Sequence, residues 1–209
     1  METYDNALIM GLGASGEAAA ALLLSEGANV TVADAADNPT LRERAERLAA
    51  LGAGVHLGVE ALPEGAYDIA VVSPGLRMDA PWVLEAWHRG LPLVSELELG
   101  WSRRRCPVVA VTGSNGKSTT VKLLCHVLTR AGFRAAPAGN YGPAISSVVR
   151  NEELDWLVVE VSSFQLEWSE AFRAEVGILL NVQPNHLDRH GTMQNYLSIK
   201  ARMFSHTGR

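Results

Sequence analysis

Cysteine is scarce in this chain of 209 residues. The two present, Cys106 and Cys125, lack the spacing of a metal or redox pair and are read as reduced structural thiols. Long apolar runs are missing too. The longest, Ala18 to Leu24, falls far short of the roughly 20 residues that span a bilayer, so no membrane insertion is expected. The N-terminus has no basic segment leading into an apolar core and a small-residue cleavage site, so no secretory signal is expected and the location is read as cytoplasmic. Positive charge is in deficit, with 18 Lys and Arg against 23 Asp and Glu and a net charge of −5. Nucleic-acid binding needs a basic face that displaces counterions, and none is expected here. The one basic cluster, Arg103-Arg104-Arg105, sits between apolar segments and reads as a solvated linker. Internal repeats and low-complexity segments are absent.

What is present is alternation. Apolar runs alternate with helical patterns, the mark of a parallel α/β protein. Strands are expected at Ala7 to Leu12, Asn29 to Asp34, Asp68 to Ser73 and Leu91 to Val94, with a weaker one near Val55. A helix is expected from Pro39 to Leu51, where Leu41, Ala45 and Leu48 share a face and Gly52 is the stop signal. These elements make a first, Rossmann-like parallel-sheet domain over residues 1–100. A linker over 101–106 leads to a second block, 107–209. There, strands at 107–113, Asp155 to Val161 and Val176 to Asn181 flank a helix from Ser118 to about Arg130, whose Val121, Leu124, Cys125 and Leu128 form one face. A last helix is expected from Thr192 to about Phe204. Three or four strands are few for a nucleotide-binding sheet, and this block reads as a truncated P-loop-type domain.

Two glycine-rich turns carry chemistry. The first, Gly11-Leu12-Gly13-Ala14-Ser15-Gly16, is a G-x-G-x-x-G fingerprint between strand and helix. Asp34 ends the next strand, about where a ribose-binding carboxylate is expected. Alone, this pair suggests an NAD-dependent oxidoreductase. The second turn lies in VVAVTGSNGKSTTVKLL, residues 108–124. Thr112, Gly113, Ser114, Asn115 and Gly116 would cradle phosphates, Lys117 would reach the β- and γ-phosphates, and the Ser118 hydroxyl, followed by Thr119, would ligate Mg²⁺. The loop is a shortened variant, because Val111 stands where a P-loop has its first glycine.

Three further residues stand out. Glu160 interrupts the apolar run 157–161 and is either a metal-binding carboxylate or a buried structural one. Lys200 falls in the apolar stripe Met193, Leu197, Lys200, Phe204, with Arg202 pointing to solvent; it is a snorkelling lysine or a functional amine. His186 lies in a polar loop after a strand, where open α/β sheets form ligand crevices. His190, nearby, reads as a free surface histidine.

VTGSNGKSTT, Gly139-Asn140, VEVSSFQLE and NVQPNHLDRHGTMQNYLSIKARMF, with GLGASG and Ser73-Pro74-Gly75 upstream, together resemble the Mur ligases of peptidoglycan synthesis, in the branch that adds D-glutamate. The resemblance covers essentially the whole chain in order. It implies that ATP phosphorylates the terminal carboxylate of UDP-N-acetylmuramoyl-L-alanine and that the amine of D-glutamate attacks the acyl phosphate. It implies Lys117 at the γ-phosphate, Ser118 and Glu160 on one Mg²⁺, and His186 with a carbamylated Lys200 on a second. It also implies substrate contacts from Leu12, Gly13, Ala14, Ser15, Asp34, Ser73, Pro74, Gly75, Asn140, Gln165 and His186. Ala35-Ala36 depart from the hydroxyl or basic residues that family members offer to the uracil. Family members are longer, so the chain is expected to be an N-terminal fragment, monomeric and inactive alone. A non-catalytic nucleotide-binding module is the alternative to an enzyme.

Overall fold

The computed structural model describes residues 3–204, so the last five residues of the expected second block lie outside the described residues. The chain forms two parallel sheets. The first has five strands: β1 (Asn6–Met10), β2 (Asn29–Asp34), β3 (Gly54–Leu57), β4 (Ile69–Val72) and β5 (Leu93–Ser95). Their order is β3-β2-β1-β4-β5, with every pairing parallel. β1 and β4 are buried along almost their whole length, as a strand covered on both faces must be.

Helix α1 (Ala14–Ser25) follows the first glycine turn, and α2 (Pro39–Ala50) is capped by the Asn38 side chain and ended by Gly52 at φ 101°. Leu41 and Leu48 are buried and Ala45 is half-buried, the face expected from the sequence. Helix α3 (Pro81–His88) precedes β5.

The fifth strand is shorter than expected and shifted. Ser95, the last residue of the ladder, also caps helix α4 (Glu96–Ser102), its hydroxyl accepting from the Glu98 N–H. The break expected near Gly100 therefore falls inside a helix, and the chain crosses between sheets after it. Gly100 is where α4 meets helix α6 (Ile145–Val148): a Cβ there would lie 2.6 Å from Ile145 Cγ2 and 2.8 Å from the Ser146 nitrogen.

Of the basic run that follows, Arg105 is solvated as expected but the other two arginines are not. Arg103 is buried, reaching Glu26 and the Tyr4 ring, and Arg104 stacks on Trp101. Aromatic faces hold these guanidiniums alongside their ion pairs with Glu26 and Glu175.

The second sheet has four strands, β6 (Val108–Thr112), β7 (Ala135–Gly139), β8 (Trp156–Glu160) and β9 (Val176–Leu179), in the order β7-β8-β6-β9. β7 had no sequence signal, because AAPAG is poor in β-branched residues and contains Pro137. An edge position tolerates that proline, since an edge strand pairs on one side only. Helix α5 (Lys117–Arg130) buries Val121 and packs Leu124, Cys125 and Leu128 against β6 and β8. Short helices α7 (Ser163–Glu167) and α8 (Leu187–His190) precede α9 (Met193–Ala201), which ends in a 3-10 turn over 202–204. Both cysteines are free thiols. Among the described residues no helix is long and apolar enough to cross a membrane.

Candidate active site

Two clefts open at the carboxyl ends of the two sheets, where parallel α/β sheets bind ligands. The first, about 390 Å³, is lined by Gly11, Asp34, Ser73, Gly75 and Trp82 among others. Gly11 needs its φ of 101° to make the turn, and a Cβ on Gly16 would stand 2.0 Å from the Gly11 carbonyl oxygen. Gly13 meets nothing within 4 Å. Its missing side chain leaves room beside the first N–H groups of α1, which have no partner inside the helix.

Asp34 shapes this turn from within. Its carboxylate accepts the Leu12 N–H at 2.7 Å and the Ala36 N–H at 2.9 Å. Leu12 itself is a core residue with its amide committed to Asp34.

The second cleft, about 120 Å³, lies at the other glycine turn and is lined by Lys117, Asn140, Phe164, His186 and Lys200 among others. Gly113 (φ 152°) and Gly116 (φ 87°) turn the chain from β6 into α5. Ser114 and Asn115 are tied to the loop after β9: Ser114 Oγ donates to the Gln183 carbonyl, and the Asn115 N–H donates to Asn181 Oδ1. Lys117 Nζ donates to the Ser114 carbonyl at 3.1 Å, and Thr119 is exposed.

Glu160 is 2% exposed. Ser118 Oγ donates to its Oε2 and Asn140 Nδ2 to its Oε1, both at 2.7 Å. Gly139 lets β7 approach, since a Cβ there would lie 2.3 Å from the Glu160 carbonyl oxygen. A buried carboxylate beside a hydroxyl at the start of the phosphate loop is a donor set for a hard cation that keeps most of its waters. No cluster of three His, Cys, Asp or Glu occurs among the described residues, so a cation here would rely on Ser118, Glu160, water and phosphate oxygens.

Lys200 is 1% exposed, so it does not snorkel. Its stripe is Tyr196, Ile199, Lys200 and Met203, whereas Leu197 faces out; the real helix is rotated from the expected register. Lys200 Nζ donates to the Gly113 carbonyl at 3.1 Å and Thr112 Oγ1 at 3.3 Å, and lies 4.7 Å from the Tyr196 ring centroid. Burial, reinforced by the like charge of Lys117, lowers its pKa to about 8. Thr112 is fully buried and its hydroxyl donates to the Val161 carbonyl, so it braces the loop from behind. Arg202 stays exposed, but its guanidinium donates to the Leu166 and Glu167 carbonyls.

His186 is exposed, left-handed at φ 53°, and packs on Phe164 at 4.7 Å. His190 is the opposite of a surface residue. It is buried, bonded through Nε2 to Ser163 Oγ, stacked on Tyr196, and its Nδ1 lies 2.9 Å from Glu167 Oε1, without hydrogen-bond alignment. Burial pulls its pKa down, against the pull of Glu167. Gln165 is buried and engaged locally: its Oε1 accepts from the Ser162 N–H and hydroxyl in a capping box. Sequence reasoning missed Phe164, which packs on His186, and the Glu167–Arg189 pair beside it, because partners 22 positions apart carry no local pattern that joins them.

A glycine-rich loop at one sheet and a fingerprint turn at the other define a parallel α/β protein with a cleft beside each turn. The comparisons narrow the class. The Mur ligase MurD-like N-terminal domain matches residues 5–95, and the Mur ligase middle domain matches residues 111–209. The chain belongs to the Mur ligase family.

It is 43% identical over 208 residues to a UDP-N-acetylmuramoylalanine–D-glutamate ligase of Pelotomaculum thermopropionicum, covering 99% of this chain and 46% of that one. A ligase of the same name from Streptomyces avermitilis is 43% identical over 204 residues, covering 95% and 44%. The chain thus spans about half the length of the curated relatives it matches. Among solved structures, the UDP-N-acetylmuramate-alanine ligase MurC of Thermotoga maritima superposes with a TM-score of 0.58 at 21% identity, covering 98% of this chain and 47% of that one. A UDP-N-acetylmuramate:L-alanyl-gamma-D-glutamyl-meso-diaminopimelate ligase from Neisseria gives 0.56 at 22%, covering 95% and 68%. These two likenesses support the fold.

Proposed function

We propose that this chain carries the uridine-substrate and ATP-handling parts of a cytoplasmic ligase that joins D-glutamate to UDP-N-acetylmuramoyl-L-alanine. The observation that carries the reading is the pair Lys117 and Asn140 lining one small cleft, with Glu160 bonded to both Asn140 and Ser118. The names of the relatives, of whose length this chain covers about half, supply the choice of substrate.

In this reading the γ-phosphoryl group of ATP passes to the terminal carboxylate of the uridine substrate. The D-glutamate amine then attacks the acyl carbon, loses a proton, and displaces phosphate. Phosphoryl transfer asks chiefly for positioning and for positive charge on the moving group, and Lys117 has that charge at the start of α5. Mg²⁺, when bound, neutralises phosphate charge; Ser118 and Glu160 would hold one ion, and His186 with a carbamylated Lys200 a second. The lowered pKa of Lys200 supports carbamylation, because only a neutral amine adds to CO₂. Asn140 would orient the substrate carboxylate while holding Glu160. In the first cleft Gly13, Ala14 and Ser15 would face the diphosphate, and Asp34 with Ser73, Pro74 and Gly75 would wall the uridine.

Calorimetric titration of the chain with UDP-N-acetylmuramoyl-L-alanine, NADH and a Mg²⁺-bound non-hydrolysable ATP analogue tests this. Binding of the first and third is expected. NADH binding without uridine binding would restore the oxidoreductase reading, and uridine binding without Mg²⁺–nucleotide would leave a non-catalytic module.

A further inference from the structure

Arg189 belongs to neither cleft and touches the walls of both. It is the third residue of α8, three positions after His186. Its Nε and Nη2 both donate to Glu167 Oε2, at 2.9 and 2.5 Å. The same guanidinium crosses to the first sheet: Nη2 donates to the Leu76 carbonyl at 2.7 Å and Nη1 to the Gly75 carbonyl at 3.4 Å. Gly75 and Leu76 line the first cleft beside Ser73 and Asp34. On its flat face the guanidinium lies 4.4 Å from the Phe164 ring, which also packs on His186 in the second cleft. A second tie runs parallel, from Arg77 Nη1 to the Asp188 carbonyl.

A lone ion pair with Glu167 would satisfy the charge of Arg189. Spreading the planar fork over a carboxylate, two carbonyls from another sheet and an aromatic face fixes geometry as well, which a lysine in that place would not do. The side chains of Arg189 and Glu167 are 10% and 6% exposed, so solvent competes little for the bonds between them.

We propose that Arg189 is a positioning residue whose guanidinium, anchored on Glu167, fixes the spacing between the nucleotide cleft and the phosphate-loop cleft for a ligand that reaches into both. This rests on the reading above, in which one uridine-linked substrate spans the two. A ligand confined to the first cleft gains nothing from that spacing. A spanning ligand pays for any slack between the clefts in lost preorganisation.

The test compares two probes on the same protein. UDP reads the first cleft alone, and UDP-N-acetylmuramoyl-L-alanine reads the span. Arg189→Lys keeps a charge beside Glu167 and loses the fork. The double variant Arg189→Met with Glu167→Met removes both charges, so no buried carboxylate is stranded if the lysine variant folds poorly. In both, UDP affinity is expected to stay within about twofold of wild type while the spanning probe weakens about tenfold. A parallel loss for both probes, or no loss for either, overturns the inference and leaves the proposed function standing. Wild-type protein that binds neither probe overturns both.

Discussion

Ser118 and Glu160, 42 residues apart, meet at 2.7 Å with the hydroxyl donating to the carboxylate. The contact joins the start of α5 to the end of β8. With Asn140 on the other oxygen, it keeps a charged group in a buried place, where an unpartnered carboxylate would be costly. Glu160→Gln removes the charge and keeps the shape. We expect it to raise the dissociation constant of Mg²⁺–nucleotide at least about tenfold, while metal-free nucleotide binding changes little. Equal binding of Mg²⁺–nucleotide by wild type and variant would remove Glu160 from the cation site.

Lys200 makes a chemical prediction. With its pKa near 8, a large fraction of the amine is neutral in mildly alkaline buffer, whereas an ordinary lysine is almost wholly protonated. In ¹³C-bicarbonate at pH 8 the protein is expected to show a carbamate carbon resonance that Lys200→Ala lacks and that fades on acidification. A spectrum identical in wild type and Lys200→Ala would contradict the modification.

The fingerprint glycines separate fold from function. Gly16 has the Gly11 carbonyl 2.0 Å from where its Cβ would be, while Gly13 has open space. Gly16→Ala is therefore expected to cost several times more stability than Gly13→Ala, which should cost about 1 kcal/mol or less as a helix N-cap change. Gly13→Ala should instead weaken UDP binding, because the added methyl stands where a diphosphate would approach. Chemical denaturation and UDP titration of both variants decide this; a Gly13→Ala protein that binds UDP normally would move the diphosphate elsewhere.

Why some of this was legible and some not follows from how local each signal is. The two glycine turns, the strands they close and the α2 and α5 faces were readable because strand, turn and helix are contiguous there. β7 was invisible, since a weak edge strand is made by its neighbour β8 and not by its own residues. Lys200 was flagged as out of place, but its register was misjudged by about one position, because Tyr196 rather than Leu197 turns inward. His190 looked like Asp188 or any loop residue, and only Glu167, Ser163 and Tyr196, brought in by the fold, make its pocket. The role of Asp34 in bracing its own loop is hidden in the sequence because its partners are the backbone N–H groups of Leu12 and Ala36, which carry no side-chain signature.

Glu96 sits where α4 meets α6, 2% exposed, with Oε1 accepting the Ser146 N–H at 2.7 Å and Oε2 without a partner. Burial raises its pKa from 4.5 to about 7, against the opposing pull of the Ser146 bonds. A folded carboxyl titrating above its unfolded value binds more protons in the native state between those two pH values. Stability therefore falls as pH rises from about 4.5 to about 7, by on the order of 3 kcal/mol in all, and is constant for this group outside that window. Glu96→Gln keeps the acceptor for Ser146 and cannot ionise. Its stability should match wild type near pH 4.5 and exceed it at pH 8, with the gap opening across the window. Urea unfolding at pH 5, 6, 7 and 8 measures this directly; parallel pH profiles for the two proteins would mean that Glu96 ionises freely in the fold and that the α4–α6 junction is open to water.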